Sequence, residues 1–69
     1  MEDLNILIKN SNLKLSAFLD ELNIKRTTFY RIRTGKRELR PNEIKKIARM
    51  LDLSICEIEY AAHLLQNNN

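Results

Sequence analysis

Between residues 13 and 37 the chain sets an apolar helix pattern, a three-residue turn and a strongly basic helix pattern in immediate succession, and this order constrains the fold more than any other feature. Leu15, Phe18, Leu19 and Leu22 recur at i, i+3, i+4 and i+7, the spacing of one buried stripe on a helix that runs to Leu22. Its start has two alternative caps, Asn12 and Ser16. Asn23 ends it, because helices often close on a left-handed residue and Asn tolerates that conformation better than most side chains. Ile24 turns back toward the core, and a second helix opens near Lys25 or Arg26. Gly35, the only glycine of the chain, closes that helix, as suits the position just past a helix end.

Within this second helix, read as residues 26–34, Phe29 and Ile32 lie three apart and point inward. Arg26, Thr27, Tyr30, Arg31 and Thr34 fall at i, i+1, i+4, i+5 and i+8, so they share an outward face rich in hydrogen-bond donors. Such a face fits a DNA major groove. Charge gathers in the same place: residues 25–40 hold seven of the twelve Lys and Arg residues and one acid, Glu38, a local balance of +6 against −3 for the rest of the chain. Charge collected on one segment is the footprint of a polyanion partner. A basic run by itself is as often a solvated face, and the helical setting is what favours the partner.

The flanking segments supply the rest of a core. Leu4, Leu7 and Ile8 mark a short helix over 3–10 behind a cap at Asp3, and Asn10-Ser11-Asn12 forms the polar break after it. Pro41 fits the first turn of a fourth helix, with Ile44, Ile47, Ala48 and Leu51 facing inward and Lys45, Lys46 and Arg49 on the opposite side. Ser54 and Glu57 make an S-x-x-E capping box, so a fifth helix starts at Ile55 and runs through Ile58, Ala62 and Leu65, with Gln66 to Asn69 expected to fray. With no strand alternation and no repeat, these patterns predict a compact all-α domain of five helices over residues 1–66 and a frayed tail over 67–69.

A chain of 69 residues makes one small domain, which buries only about 60% of its unfolded surface. Its composition, 43% hydrophobic and 30% charged, is that of a folded globular chain rather than a disordered one. No apolar run approaches the ~18 residues of a membrane span, and the start Met1-Glu2-Asp3 is acidic where a secretory signal is basic; the cytoplasm is expected. Cys56 is the only cysteine and His63 the only histidine. They exclude an internal disulfide framework and a structural zinc cluster, so neither metal nor cofactor is expected. Cys56 reads as a small packed side chain in the opening turn of the fifth helix, and His63 as a surface residue. No carboxylate pair, Ser/His/Asp set or glycine-rich phosphate loop supports an enzyme.

In pattern and spacing, nearly the whole chain resembles the lambda repressor and Cro-like (XRE-type) helix-turn-helix family. Phe18 and Leu22 stand where that family keeps apolar residues in its second helix, Asn23-Ile24 at its Gly-Val turn, and Phe29 and Ile32 at its recognition-helix core. Thr34-Gly35-Lys36-Arg37 looks like its glycine-basic ending, and Leu51-Asp52-Leu53-Ser54-Ile55 like its leucine-glycine-valine-serine link. The chain departs from the pattern at Leu15, at Leu19 where a small residue is usual, at Asn23, and at Arg33, where glutamate is frequent. A leucine at 19 is expected to widen or tilt the crossing of the second and third helices.

The resemblance implies a lambda-repressor-like fold with the helix-turn-helix in helices two and three, and sequence-specific binding of double-stranded DNA as a small transcriptional regulator, a repressor. Its base-reading positions correspond to Arg26, Thr27, Tyr30 and Arg31, the residues the helical wheel also turns outward. Arginine donates a bidentate pair to guanine, and Thr27 sets a methyl against thymine. Lys25, Thr34, Lys36, Arg37 and Arg40 are expected on phosphates, with the exposed amides at the start of the helix that runs to Leu22. Roughly six neutralised phosphates per subunit give a salt slope near −5, doubled in a dimer.

Readers of this kind bind pseudo-palindromes as homodimers, and the fifth helix offers Tyr60, Ala61, Leu64 and Leu65 for the interface. The short chain looks more like a phage Cro-type repressor than a full-length phage repressor. Leu39-Arg40-Pro41-Asn42-Glu43 also has some likeness to antitoxins that repress their own operon and bind a toxin. From a different class, a helical adaptor would use the basic 25–40 surface to bind an acidic protein.

Overall fold

The computed structural model describes residues 2–66 in full and the backbone of Asn67. Each helix begins and ends where local chemistry allows. Helix α1 spans Leu4–Asn10, and the Asp3 carboxylate accepts the Ile6 N–H at 3.0 Å as its cap. Helix α2 spans Leu15–Leu22. Lys14 stands at its N-cap with no side-chain bond, so neither Asn12 nor Ser16 caps it. Asn12 instead takes a left-handed conformation (φ 63°) in the link from α1, and Ser16 lies inside α2.

Asn23 closes α2 at φ 55°, with Ile24 N–H donating to Leu19 O at 3.1 Å. Helix α3 covers Arg26–Arg33, one residue shorter than expected because Thr34 is its C-cap. Helix α4 covers Pro41–Leu51, with Pro41 at the first helical position. Helix α5 covers Ile55–Asn67. Its capping box is formed in both directions: Glu57 N–H donates to Ser54 Oγ at 3.1 Å, and Ser54 N–H donates to Glu57 Oε1 at 3.2 Å. The helix continues through Gln66 and Asn67, which were expected to fray. Met1, Asn68 and Asn69 lie outside the described residues, and with them the rest of the expected tail.

The described residues thus form five helices and no strand, an all-α fold. All five feed one core: Leu4 and Ile8 from α1, Phe18 and Leu22 from α2, Phe29 and Ile32 from α3, Ile47 and Ala48 from α4, and Ile58, Ala61 and Leu65 from α5. Phe18 and Phe29 stack with ring centroids 5.8 Å apart, which ties α2 to α3. Leu19 is half-buried and packs against the same core. Helix α5 lies against α4 and α1, and α4 against α2. Because α3 reaches the core through Phe29 and Ile32 alone, its opposite face stays free.

Candidate nucleic-acid interface

That free face is where the sequence concentrates donors and charge. Arg26, Thr27, Tyr30 and Arg31 are all exposed on α3. They wall one open, shallow cleft together with Lys36, and no acidic residue lines it. Lys25, also exposed, stands at the N-cap of α3 without a side-chain cap.

Lys36 comes back to this face because of how α3 ends. Gly35 adopts φ 78°, a region that costs a residue with a Cβ about 1–2 kcal/mol. Its N–H donates to Ile32 O at 3.1 Å, and the Lys36 N–H donates to Arg31 O at 2.8 Å. This is the paired bonding of a Schellman ending, and it reverses the chain directly beneath the outward face.

Two residues expected on phosphates are committed elsewhere. Arg37 forks onto Glu43, Nη1 to Oε1 at 2.9 Å and Nη2 to Oε2 at 3.1 Å, and Nη1 also donates to Glu38 O at 3.2 Å. With both of its terminal nitrogens so occupied and its side chain one-fifth exposed, Arg37 holds the loop rather than facing solvent as a phosphate clamp. Thr34 donates its hydroxyl proton back along α3, to Tyr30 O at 3.0 Å and Arg31 O at 3.3 Å, so it has no proton to offer an anion. Lys36 and Arg40 remain exposed.

Glu43 is the one buried charged residue among the described residues. Besides Arg37, its Oε1 accepts the Arg40 N–H at 2.8 Å, which caps the start of α4. Burial pushes its carboxyl upward. The hydrogen bonds from Arg37 and from the Arg40 backbone, with the charges of both arginines, outweigh that and hold it below the ordinary glutamate value. The same hydrogen bond to Glu43 raises Arg37, against the opposing effect of burial and with the help of the Glu43 charge.

A second anchor escaped the sequence reading. Arg33 Nε donates to Asn5 Oδ1 at 2.8 Å, and Asn5 Nδ2 donates to Arg33 O at 3.0 Å, a reciprocal pair joining α1 to the last turn of α3. The guanidinium also lies 5.9 Å from the Phe29 ring centroid. Twenty-eight residues separate the two partners, and no periodic signal links positions that far apart. The capping role of Glu43 did leave a trace, since Pro41 at the first helical position and Glu43 two residues later are a helix-start pattern, but nothing in it points to Arg37 as a partner.

The expected interface on α5 needs correction. Ala61 and Leu65 are 1% and 7% exposed and belong to the core, so they offer no surface to a second subunit. The buried stripe of α5 runs Ile58, Ala61, Leu65, which turns Ala61 inside, while Ala62 is half-buried against the same core. Tyr60 is 50% exposed and Leu64 half-buried. Cys56, read as packed, is exposed, and His63 is exposed as expected. Among the described residues no group of His, Cys, Asp and Glu is placed to hold a metal ion, and no helix is long and apolar enough to cross a membrane.

Among known families, the Cro/C1-type HTH DNA-binding domain matches residues 3–61, a span that takes in α1 through α4 and the first half of α5. Neither a curated protein nor a solved structure gives a match.

Proposed function

The chain belongs to the Cro/C1-type HTH DNA-binding family, and from that premise we propose that this DNA-binding regulator is a sequence-specific repressor that lays α3 in the major groove and binds as a homodimer. The observation that carries the reading is the convergence of Arg26, Thr27, Tyr30, Arg31 and Lys36 on one exposed, acid-free cleft. Arg26 and Arg31 read guanine O6 and N7 through bidentate donation, while Lys25, Lys36 and Arg40 grip phosphates along the rim. The start of α2, which no side chain caps, adds backbone amides to that grip.

Size supports the dimer. The chain extends 27 × 25 × 22 Å, less than the ~34 Å that separates successive major-groove half-sites on one face of DNA. A second copy is what reaches the next half-site, with the outer surface of α5 around Tyr60 and Leu64 as the contact. A dimer seated on its site excludes other proteins from the same grooves, the physical basis of repression.

Selection of bound duplexes from a random pool at about 150 mM salt tests the proposal. An inverted repeat is the expected result. In the recovered site Arg26→Lys and Arg31→Lys should each relax the preference for one base pair by about 1–3 kcal/mol, because a lysine cannot make the fork. Unenriched, salt-sensitive binding would overturn sequence-specific readout. Absence of binding would instead direct attention to an acidic protein partner for the same surface.

A further inference from the structure

We propose that the groove between α1 and the start of α2 is a docking site for an acidic amphipathic helix of a partner protein, which lays apolar side chains on Ile6, Leu13 and Leu15 and sets a carboxylate on the guanidinium of Arg33. Five large hydrophobic side chains are exposed among the described residues. Tyr30 belongs to the α3 face, and Ile55 and Tyr60 lie on α5. Ile6 and Leu13, each 40% exposed, are left, and they wall one open groove of about 440 Å³ together with half-buried Leu15. Apolar side chains gathered in one groove, rather than scattered singly, mark a contact site.

Charge selects the occupant. Arg33 lines the groove, and its guanidinium is held from two sides: Nε donates to Asn5 Oδ1 at 2.8 Å, and Cζ lies 5.9 Å from the Phe29 ring centroid. Its two Nη atoms have no hydrogen-bond or carboxylate partner among the described residues. Such a fork is preset for a carboxylate, because the entropy of ordering the side chain is already lost on folding. Lys9, exposed on the same groove, adds a second cation. The acid there, Asp3, is engaged at the start of α1, where its Oδ1 accepts the Ile6 N–H. Glutamate is frequent in the family at the place of Arg33, so this cationic rim belongs to the chain rather than to the fold. The described residues contain no strand, hence no sheet edge for an extended peptide. A partner segment must therefore satisfy its own backbone N–H and C=O groups, as a helix does.

The experiment selects from a displayed library of random peptides of about 15 residues, some four helical turns, on the full chain, with counter-selection on Leu13→Glu. Enrichment of sequences that set Asp or Glu one turn from apolar residues is expected. A synthetic peptide of the enriched sequence should shift the amide resonances of Ile6, Leu13 and Leu15 and the Arg33 Nε–H signal in the isotopically labelled chain. Its affinity should fall about tenfold in Arg33→Gln, the loss of a charge-assisted contact, and by nearly as much in Arg33→Lys, which keeps the charge but not the fork. Asn5→Ala leaves Arg33 charged but no longer held, and should cost about threefold. Leu13→Glu replaces an apolar wall with a like charge and should cost more than about tenfold. Because Leu13 is exposed, that variant should retain the wild-type helical circular dichroism, which keeps the test independent of the Asn5–Arg33 clasp. Enrichment of basic peptides, enrichment that Leu13→Glu retains, or no enrichment at all overturns the docking site. So does a decrease of about 1 in the salt slope of duplex binding in Arg33→Gln, which would assign the fork to a DNA phosphate.

Discussion

Glu43 serves three donors at once, two on Arg37 and one on the Arg40 backbone, and so joins the loop after α3 to the start of α4. Replacing it with alanine leaves a half-buried guanidinium unpaired and a helix start uncapped. Glu43→Ala should therefore lower stability by about 3 kcal/mol in urea melts, whereas Glu43→Gln, which retains an oxygen for the Arg40 N–H, should lose less. The pair also sets an acid response. Its folded-state carboxyl lies below the ordinary value, so the stabilisation is complete above the unfolded glutamate value of about 4.3 and is lost as pH falls through the folded one. Urea midpoints measured from pH 7 to pH 3 should fall at the acid end more steeply for wild type than for Glu43→Gln. Of the residues on the candidate interface, the outward exposure of Arg26, Thr27, Tyr30 and Arg31 was legible in the sequence, since it follows from a repeat of 3.6 residues. Arg37 was not, because whether a cation in a loop faces solvent or a carboxylate depends on where the chain brings that carboxylate.

At the level of the elements, four left-handed residues terminate or link helices among the described residues: Asn12, Asn23, Gly35 and Asp52, at φ 63°, 55°, 78° and 57°. Three of them carry a Cβ. Gly35→Ala should cost about 1–2 kcal/mol and weaken DNA binding as well, since the same turn returns Lys36 to the α3 face. Asn23→Gly should be neutral or stabilising by up to about 1 kcal/mol; thermal melts of the two variants should move in opposite directions or leave Asn23→Gly unmoved. Ser54→Ala breaks the capping box of α5 and should cost about 1 kcal/mol. Asn23, Gly35 and Ser54 were readable because a residue type announces its backbone role. The start of α2 was not: Lys14 caps it with its backbone carbonyl alone, which accepts the Ala17 N–H at 3.0 Å, and a carbonyl is the same on every residue. The end of α5 was misread for a related reason, since polar residues mark a tail only where nothing else favours continuing the helix.

For the molecule as a whole, the testable quantity is how many phosphates it neutralises. The sequence count gave a salt slope near −5 per subunit. With Arg37 tied to Glu43 and Thr34 bonded to its own helix, Lys25, Lys36 and Arg40 remain, and the slope of log affinity against log salt should be near −3 per subunit. Lys36→Met should reduce it by about 1. A slope nearer −4 would mean that Arg37 leaves Glu43 when DNA binds. Sequence alone determined the five helices, the apolar faces of α1 to α4 and the basic, donor-rich surface of α3, because these are matters of period, capping and composition within a few turns of chain. Tertiary structure decided which cations are free, that Asn5 and Arg33 clasp α1 to α3, and that Ala61 and Leu65 face the core rather than a partner. Each of those depends on contacts between segments distant in the chain or on the rotation of a helix against its neighbours, which local pattern does not encode.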